Sequence, residues 1–159
     1  MPRIGFGCDI HRLEAGRPLV LGGITVPYAA GLAGHSDGDA LVHAVVDALL
    51  GALGEGDIGT LFPDTDPRTK GAPSTGMLET AAGLVRARGG TVVNVDAVIV
   101  AEEPKMGPHI PAMKAALAPL LGVPETALGI KAKTNEGLGP IGEKRAIACY
   151  AVVLLEVPE

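Results

Sequence analysis

The stretch from Ala146 to Val157 is a nearly unbroken apolar run with no polar alternation. A strand that is apolar on both faces has to be covered on both sides, by helices or by another subunit. The run is far shorter than the roughly 20 apolar residues that cross a bilayer, and no other stretch comes closer. No apolar signal core precedes Asp9. A soluble cytoplasmic protein is therefore expected, with one domain for 159 residues and 47% hydrophobic side chains to fill its core.

Strands and helices interleave before that run. Arg3 to His11 reads as a strand, and Pro18 to Pro27 as a hairpin whose arms flank Gly22-Gly23. Leu41, Val42, Val45, Val46, Leu49, Leu50 and Leu53 recur at helical spacing. The predicted helix runs over 36–53 with Ser36 as its cap. Residues 54–73 have no sustained period and read as a long loop. A helix over 74–88 stops at Gly89-Gly90, a strand follows over 91–102, and a helix with Pro111 in its first turn covers 108–121. Residues 130–134 are strand-like. The expected class is α+β of an α/β type, a mixed four-stranded sheet with helices on one face.

Composition narrows the function. The formal charge of −5 and an aromatic content of 3% argue against a nucleic-acid surface. Cys8 and Cys149 lie far apart in apolar segments, which favours reduced core thiols over a bridge or a cysteine metal site.

Residues two apart on a strand point the same way, so Asp9 and His11 present a carboxylate and an imidazole together. His43 sits mid-helix with Asp39 and Asp47 four residues to either side, either of which could hold its second ring nitrogen. Two histidines, one aspartate and an open position describe a catalytic zinc site. His35-Ser36-Asp37-Gly38-Asp39 opens the first helix, where free N–H groups attract phosphate. The loop from Gly56 to Pro67 offers carboxylates and an apolar pair, suited to hydroxyl recognition beneath a lid. These residues also allow a zinc phosphohydrolase, or a non-catalytic oligomeric binding module with structural histidines.

The segments Gly7-Cys8-Asp9-Ile10-His11, Gly34 to Ala40, Asp57-Ile58-Gly59 through Asp66, Pro104-Lys105-Met106 and Lys131 to Gly139 occur in one order along the chain. Together they resemble the 2-C-methyl-D-erythritol 2,4-cyclodiphosphate synthases over essentially its whole length. That resemblance implies a cyclising phosphorus–oxygen lyase of non-mevalonate isoprenoid biosynthesis. Its substrate would be 4-diphosphocytidyl-2-C-methyl-D-erythritol 2-phosphate, and CMP would be released.

By the same resemblance Asp9, His11 and His43 hold one Zn²⁺ per subunit, and Glu136 holds Mg²⁺ or Mn²⁺. His35 and Thr134 match transition-state-stabilising positions. Ser36 and Lys133 would meet phosphate, Asp57 and Gly59 would meet ribose or polyol hydroxyls, and Ile58 would also contact substrate. Phe62, Pro63, Asp64, Thr65 and Asp66 would close over the methylerythritol. Ala101, Pro104, Lys105, Met106 and Gly107 would form a cytosine pocket contributed by a neighbouring subunit of a homotrimer, whose interior the bare face of the sheet would line. The chain departs from the family after Gly139: Pro140 stands near the family's phenylalanine, Glu143 at its arginine and Arg145 at its glutamate.

Overall fold

The computed structural model describes residues 1–158. Its elements are β1 (Pro2–Ala15), β2 (Leu19–Leu21), β3 (Ile24–Val26), β4 (Ala30–Leu32), α1 (Ala40–Leu53), α2 (Ile58–Leu61), α3 (Ser74–Ala87), β5 (Thr91–Val100), α4 (Ile110–Leu121), β6 (Leu128–Lys133), α5 (Gly139–Gly142) and β7 (Ala146–Glu156). The main sheet has the order β4-β1-β7-β5-β6, with β2-β3 as a separate hairpin. β7 runs antiparallel to both β1 and β5, and β5 is parallel to β6. The four long strands are those the sequence predicts. The short β4 adds a fifth by pairing with the end of β1 at Leu13, Glu14 and Ala15.

The apolar run behaves differently on its two faces. Ile147, Cys149, Ala151, Val153 and Leu155 are fully buried on the helix side. On the other side Tyr150 and Val152 remain 43% and 42% exposed, beside Ile4 at 74%, Phe6 at 61% and Ile10 at 57%. The described residues therefore cover one apolar face fully and the other only at Ala146 and Ala148, which pack with Ile141 and Val100. Cys8 lies on the bare face and is exposed, whereas Cys149 is buried. The expectation of two core thiols fails for Cys8 because it alternates with Asp9, whose side chain faces the helices.

Helix α1 is buried along nearly its whole circumference, with only Asp47 and Gly51 outside the set of buried residues. A helix apolar all round belongs inside a core. Its approach to β1 is set by missing side chains. A Cβ on Gly5 would lie 1.8 Å from the Ala48 carbonyl oxygen, and one on Gly7 would lie 2.0 Å from that of Ala44. Backbone therefore rests on backbone.

The helix begins at Ala40, later than predicted, and its cap is Asp39 rather than Ser36. One oxygen of Asp39 accepts from Val42 N (3.0 Å) and Gly22 N (2.9 Å), the other from Gly23 N (2.7 Å). This carboxylate ties the hairpin turn to the helix start, so the terminus predicted to attract phosphate is already capped from within the chain. Residues 54–73 also contain more structure than a loop. α2 and a single 3₁₀ turn at Pro67–Thr69 lie within them, capped by Asp57 and Asp66. Among the described residues no helix is long and apolar enough to cross a membrane.

Candidate metal centre and its pocket

Asp9 and His11 leave β1 on the same face as Gly5 and Gly7, where α1 passes closest. His43 meets them there because it precedes Ala44, the residue resting on Gly7. Asp9 Oδ2 lies 2.7 Å from His11 Nε2 and 2.9 Å from His43 Nδ1, and the two nitrogens are 3.3 Å apart. One ligand atom from each residue thus converges on a common point. For a tetrahedral zinc with bonds of about 2.0–2.1 Å, neighbouring nitrogens should sit about 3.3 Å apart. The nitrogen–nitrogen edge fits, and the oxygen edges need the carboxylate to draw back by only a few tenths of an ångström.

Local charge suits a cation. Burial pushes the Asp9 carboxyl up, but hydrogen bonds from His11 and His43 outweigh it and hold it well below the ordinary carboxylate range. The hydrogen bond to Asp9 raises His11 against the opposing effect of burial.

The second nitrogen of His43 is held by neither Asp39 nor Asp47. It faces Ser74 Oγ at 2.8 Å and Ser36 Oγ at 3.2 Å. Asp39 is committed to the caps, and Asp47 accepts from Ile58 N at 2.7 Å. Asp47 thereby fastens α2 beside the Asp9, His11 and His43 cluster.

Asp9, His11 and His43 open into a cavity of about 300 Å³. His35, Ser36, Ile58, Gly59, Phe62 and Asp64 line it as predicted, joined by Gly34, Thr69 and Met77, which sequence reasoning did not single out. His35 Nε2 is buried without a hydrogen-bond partner, a donor or acceptor left over for a ligand. Asp57, Pro63, Thr65 and Asp66 do not line the cavity. Asp57 caps α2 through Thr60. Asp66 is paired with Arg68, whose guanidinium holds its carboxyl down at about 2. Pro63 and Thr65 are exposed between them.

The remaining predicted residues form a second cluster at the C-terminal ends of β5 and β6. Ala101 N donates to Lys133 O (2.9 Å), and Gly137 N donates to Glu102 Oε1 (3.0 Å). Thr134 Oγ1 donates to Glu136 Oε1 (3.2 Å), and Glu136 adopts a left-handed φ of 52°. Pro104 is half-buried and Met106 buried, with Lys105 and Gly107 exposed around them. The register runs Asp9, Cys149, Ile99, Ala132 across the sheet. Two strand spacings, about 10 Å, therefore separate Asp9 from the β5 part of this cluster, and three, about 14 Å, from the β6 part that carries Thr134 and Glu136.

An α+β chain with a two-histidine, one-aspartate centre at the foot of an open pocket belongs to the class of metal-binding enzymes. The YgbB family profile matches residues 2–156. The 2-C-methyl-D-erythritol 2,4-cyclodiphosphate synthase of Gloeobacter violaceus is 57% identical over 97% of this chain and 94% of its own length. That of Bordetella petrii is 55% identical over 96% and 94%. A solved 2C-methyl-D-erythritol-2,4-cyclodiphosphate synthase in a CDP-bound form superimposes with a TM-score of 0.90 at 47% identity, covering 97% of this chain and all of that one. The bifunctional IspDF of Campylobacter jejuni superimposes over the whole of this chain with a TM-score of 0.94 at 40% identity, which takes up 43% of that protein. The chain belongs to the YgbB family, the family of the 2-C-methyl-D-erythritol 2,4-cyclodiphosphate synthases. It is accordingly an enzyme, a cyclising lyase of non-mevalonate isoprenoid biosynthesis.

Proposed function

We propose that the chain converts 4-diphosphocytidyl-2-C-methyl-D-erythritol 2-phosphate into 2-C-methyl-D-erythritol 2,4-cyclodiphosphate and CMP, with Asp9, His11 and His43 as its zinc ligands. The convergence of those three ligand atoms at the foot of the pocket is the observation that carries this reading. A bound zinc would supply Lewis-acid polarisation of a phosphoryl oxygen.

Everything else falls to the chain's own side chains. An oxygen of the 2-phosphate forms a bond to the β-phosphorus as the bond from that phosphorus to the α-phosphate oxygen breaks, and CMP carries the electron pair away. Nucleophile and electrophile belong to one molecule, so the protein's task is to fold the substrate and offset its charge. His35, with its unpartnered nitrogen, and Ser36 face the phosphates. Ile58, Gly59, Phe62 and Asp64 enclose the polyol, with Asp57, Pro63, Thr65 and Asp66 shaping the segment that closes on it. Glu136 would hold Mg²⁺ or Mn²⁺ near the departing phosphate, beside Thr134 and Lys133. Ala101 and the segment from Pro104 to Gly107 receive cytosine.

Two features support a homotrimer with the site shared between subunits. The bare apolar face of Ile4, Phe6, Ile10, Tyr150 and Val152 needs covering. The gap between the two residue clusters is also too wide for one chain to bring both to one diphosphate.

Incubating the protein with the diphosphocytidyl substrate and Mg²⁺ tests the reaction. Equal amounts of CMP and cyclic diphosphate are expected. Inorganic phosphate without cyclic product would mark a hydrolase, and absence of CMP from zinc-replete protein would overturn the assignment.

A further inference from the structure

The nitrogen of His43 that faces away from Asp9 meets Ser36 in the pocket lining and, more closely, Ser74 outside it. Ser74, the first residue of α3, is fully buried. Its hydroxyl donates to Asp37 Oδ1, and its backbone N–H donates to Asp37 Oδ2 at 3.0 Å. Asp37 Oδ1 also accepts from Asp39 N at 3.1 Å, so the carboxylate is anchored at both oxygens. Both of its oxygens act as acceptors in these contacts. The single hydroxyl proton of Ser74 is therefore spent on Asp37, and Ser74 Oγ can only accept from His43 Nε2, 2.8 Å away. Where a cation takes the place of the hydrogen bond between Nδ1 and Asp9, a proton fixed on Nε2 leaves the Nδ1 lone pair directed at that cation.

We infer that Ser74 and Asp37 are positioning residues that select the metal-ligating tautomer of His43 and hold its ring in place, a carboxylate–serine–histidine relay behind the metal centre. The inference rests on the zinc reading of Asp9, His11 and His43. Ligating histidines commonly donate their outer nitrogen to a carboxylate or carbonyl, and loss of such a partner lowers metal affinity about 10–100-fold. Here a serine stands between carboxylate and imidazole. Ser36 Oγ, 3.2 Å from both Nε2 and Ser74 Oγ, packs beside the relay. The relay also couples distant segments, because Asp37 N donates to Ala72 O (3.2 Å) and Gly71 N to His35 O (2.8 Å). The end of the segment flanking the pocket is thus sewn to the back of a ligand.

Zinc affinity by chelator competition, and side-chain nitrogen NMR of His43 in the zinc-loaded protein, test the relay without reference to turnover. Wild type should show a slowly exchanging Nε2–H proton. Ser74→Ala should weaken zinc binding at least about tenfold and lose or shift that proton signal in protein that remains folded without metal. Asp37→Asn, which keeps the serine, should move both readouts in the same direction by less, and decides the matter if Ser74→Ala does not fold. Zinc affinity within twofold of wild type, or an unchanged Nε2–H signal, would overturn the relay alone. A wild-type protein that binds no zinc would overturn the proposed function as well.

Discussion

Asp9 and His11 are linked in a way that makes the metal-free protein sensitive to pH. The Asp9 carboxyl is held below its ordinary value of 3.8, so its contribution to stability is present above that pH and fades as acid protonates it. His11 is raised above its ordinary 6.5, so its contribution is complete below 6.5 and is lost as pH rises through the raised value. The pair therefore stabilises the metal-free chain between these limits and weakens above them. Zinc needs the unprotonated imidazole, so it competes with the proton that stabilises the empty site. Thermal unfolding at pH 6 and pH 8 should show a zinc-induced rise in Tm that is larger at pH 8. A larger rise at pH 6 would contradict the assignment of His11 as a ligand. Asp39 is a second residue with a measurable role. Asp39→Ala strips a helix cap and leaves three backbone N–H groups, two of them buried, without an acceptor, a loss of about 2–4 kcal/mol that urea unfolding would register.

Among the elements, the contact of α1 with β1 matters most to the site, and it was the least legible. Periodicity reads apolar side chains, and it located α1, β7 and the hairpin because each announces itself by what it carries. Gly5 and Gly7 act through the side chain they lack, which leaves no periodic mark even though Gly-x-Gly-x-Asp-x-His places two glycines and two ligands on one face. The cap was misplaced for a related reason. Ser36 and Asp39 are both good cap residues, and only the tertiary tie of Asp39 to Gly22 and Gly23 decides between them. Ser74 escaped notice because its partner His43 is distant in sequence, a relation no local spacing encodes. Gly7→Ala tests the close approach. Its methyl would strike the Ala44 carbonyl rather than a flexible side chain, so α1 has to shift and carry His43 with it. A loss of about 1–3 kcal/mol in urea unfolding is expected, together with weaker zinc binding. Loss of stability with zinc affinity unchanged would show that the triad tolerates the shift.

At the scale of the whole molecule, the sequence demanded cover for both faces of β7, and a single chain supplies it for one face and for only the start of the other. The same chain leaves its triad and its Glu136 cluster about 14 Å apart across the sheet. Both facts are met if subunits assemble on the bare face so that the triad of one meets Glu136 of the next. Cyclic assembly gives every interface one triad and one Glu136 cluster. His43→Ala should lose zinc and activity, whereas Glu136→Ala should keep zinc and lose most activity, since Glu136 stands apart from the three converging ligands. Neither variant alone should show more than residual turnover. If the site is shared, unfolding and refolding an equal mixture of the two should restore activity. An interface works when a Glu136→Ala subunit supplies the intact triad and a His43→Ala subunit supplies the intact glutamate, which random assembly achieves at about one interface in four. Recovery to about a quarter of the wild-type rate after co-refolding, with none after simple mixing of folded oligomers, is the expected result. If both clusters instead serve one site within a chain, no mixture can rebuild it, and the activity should stay at the level of the separate variants.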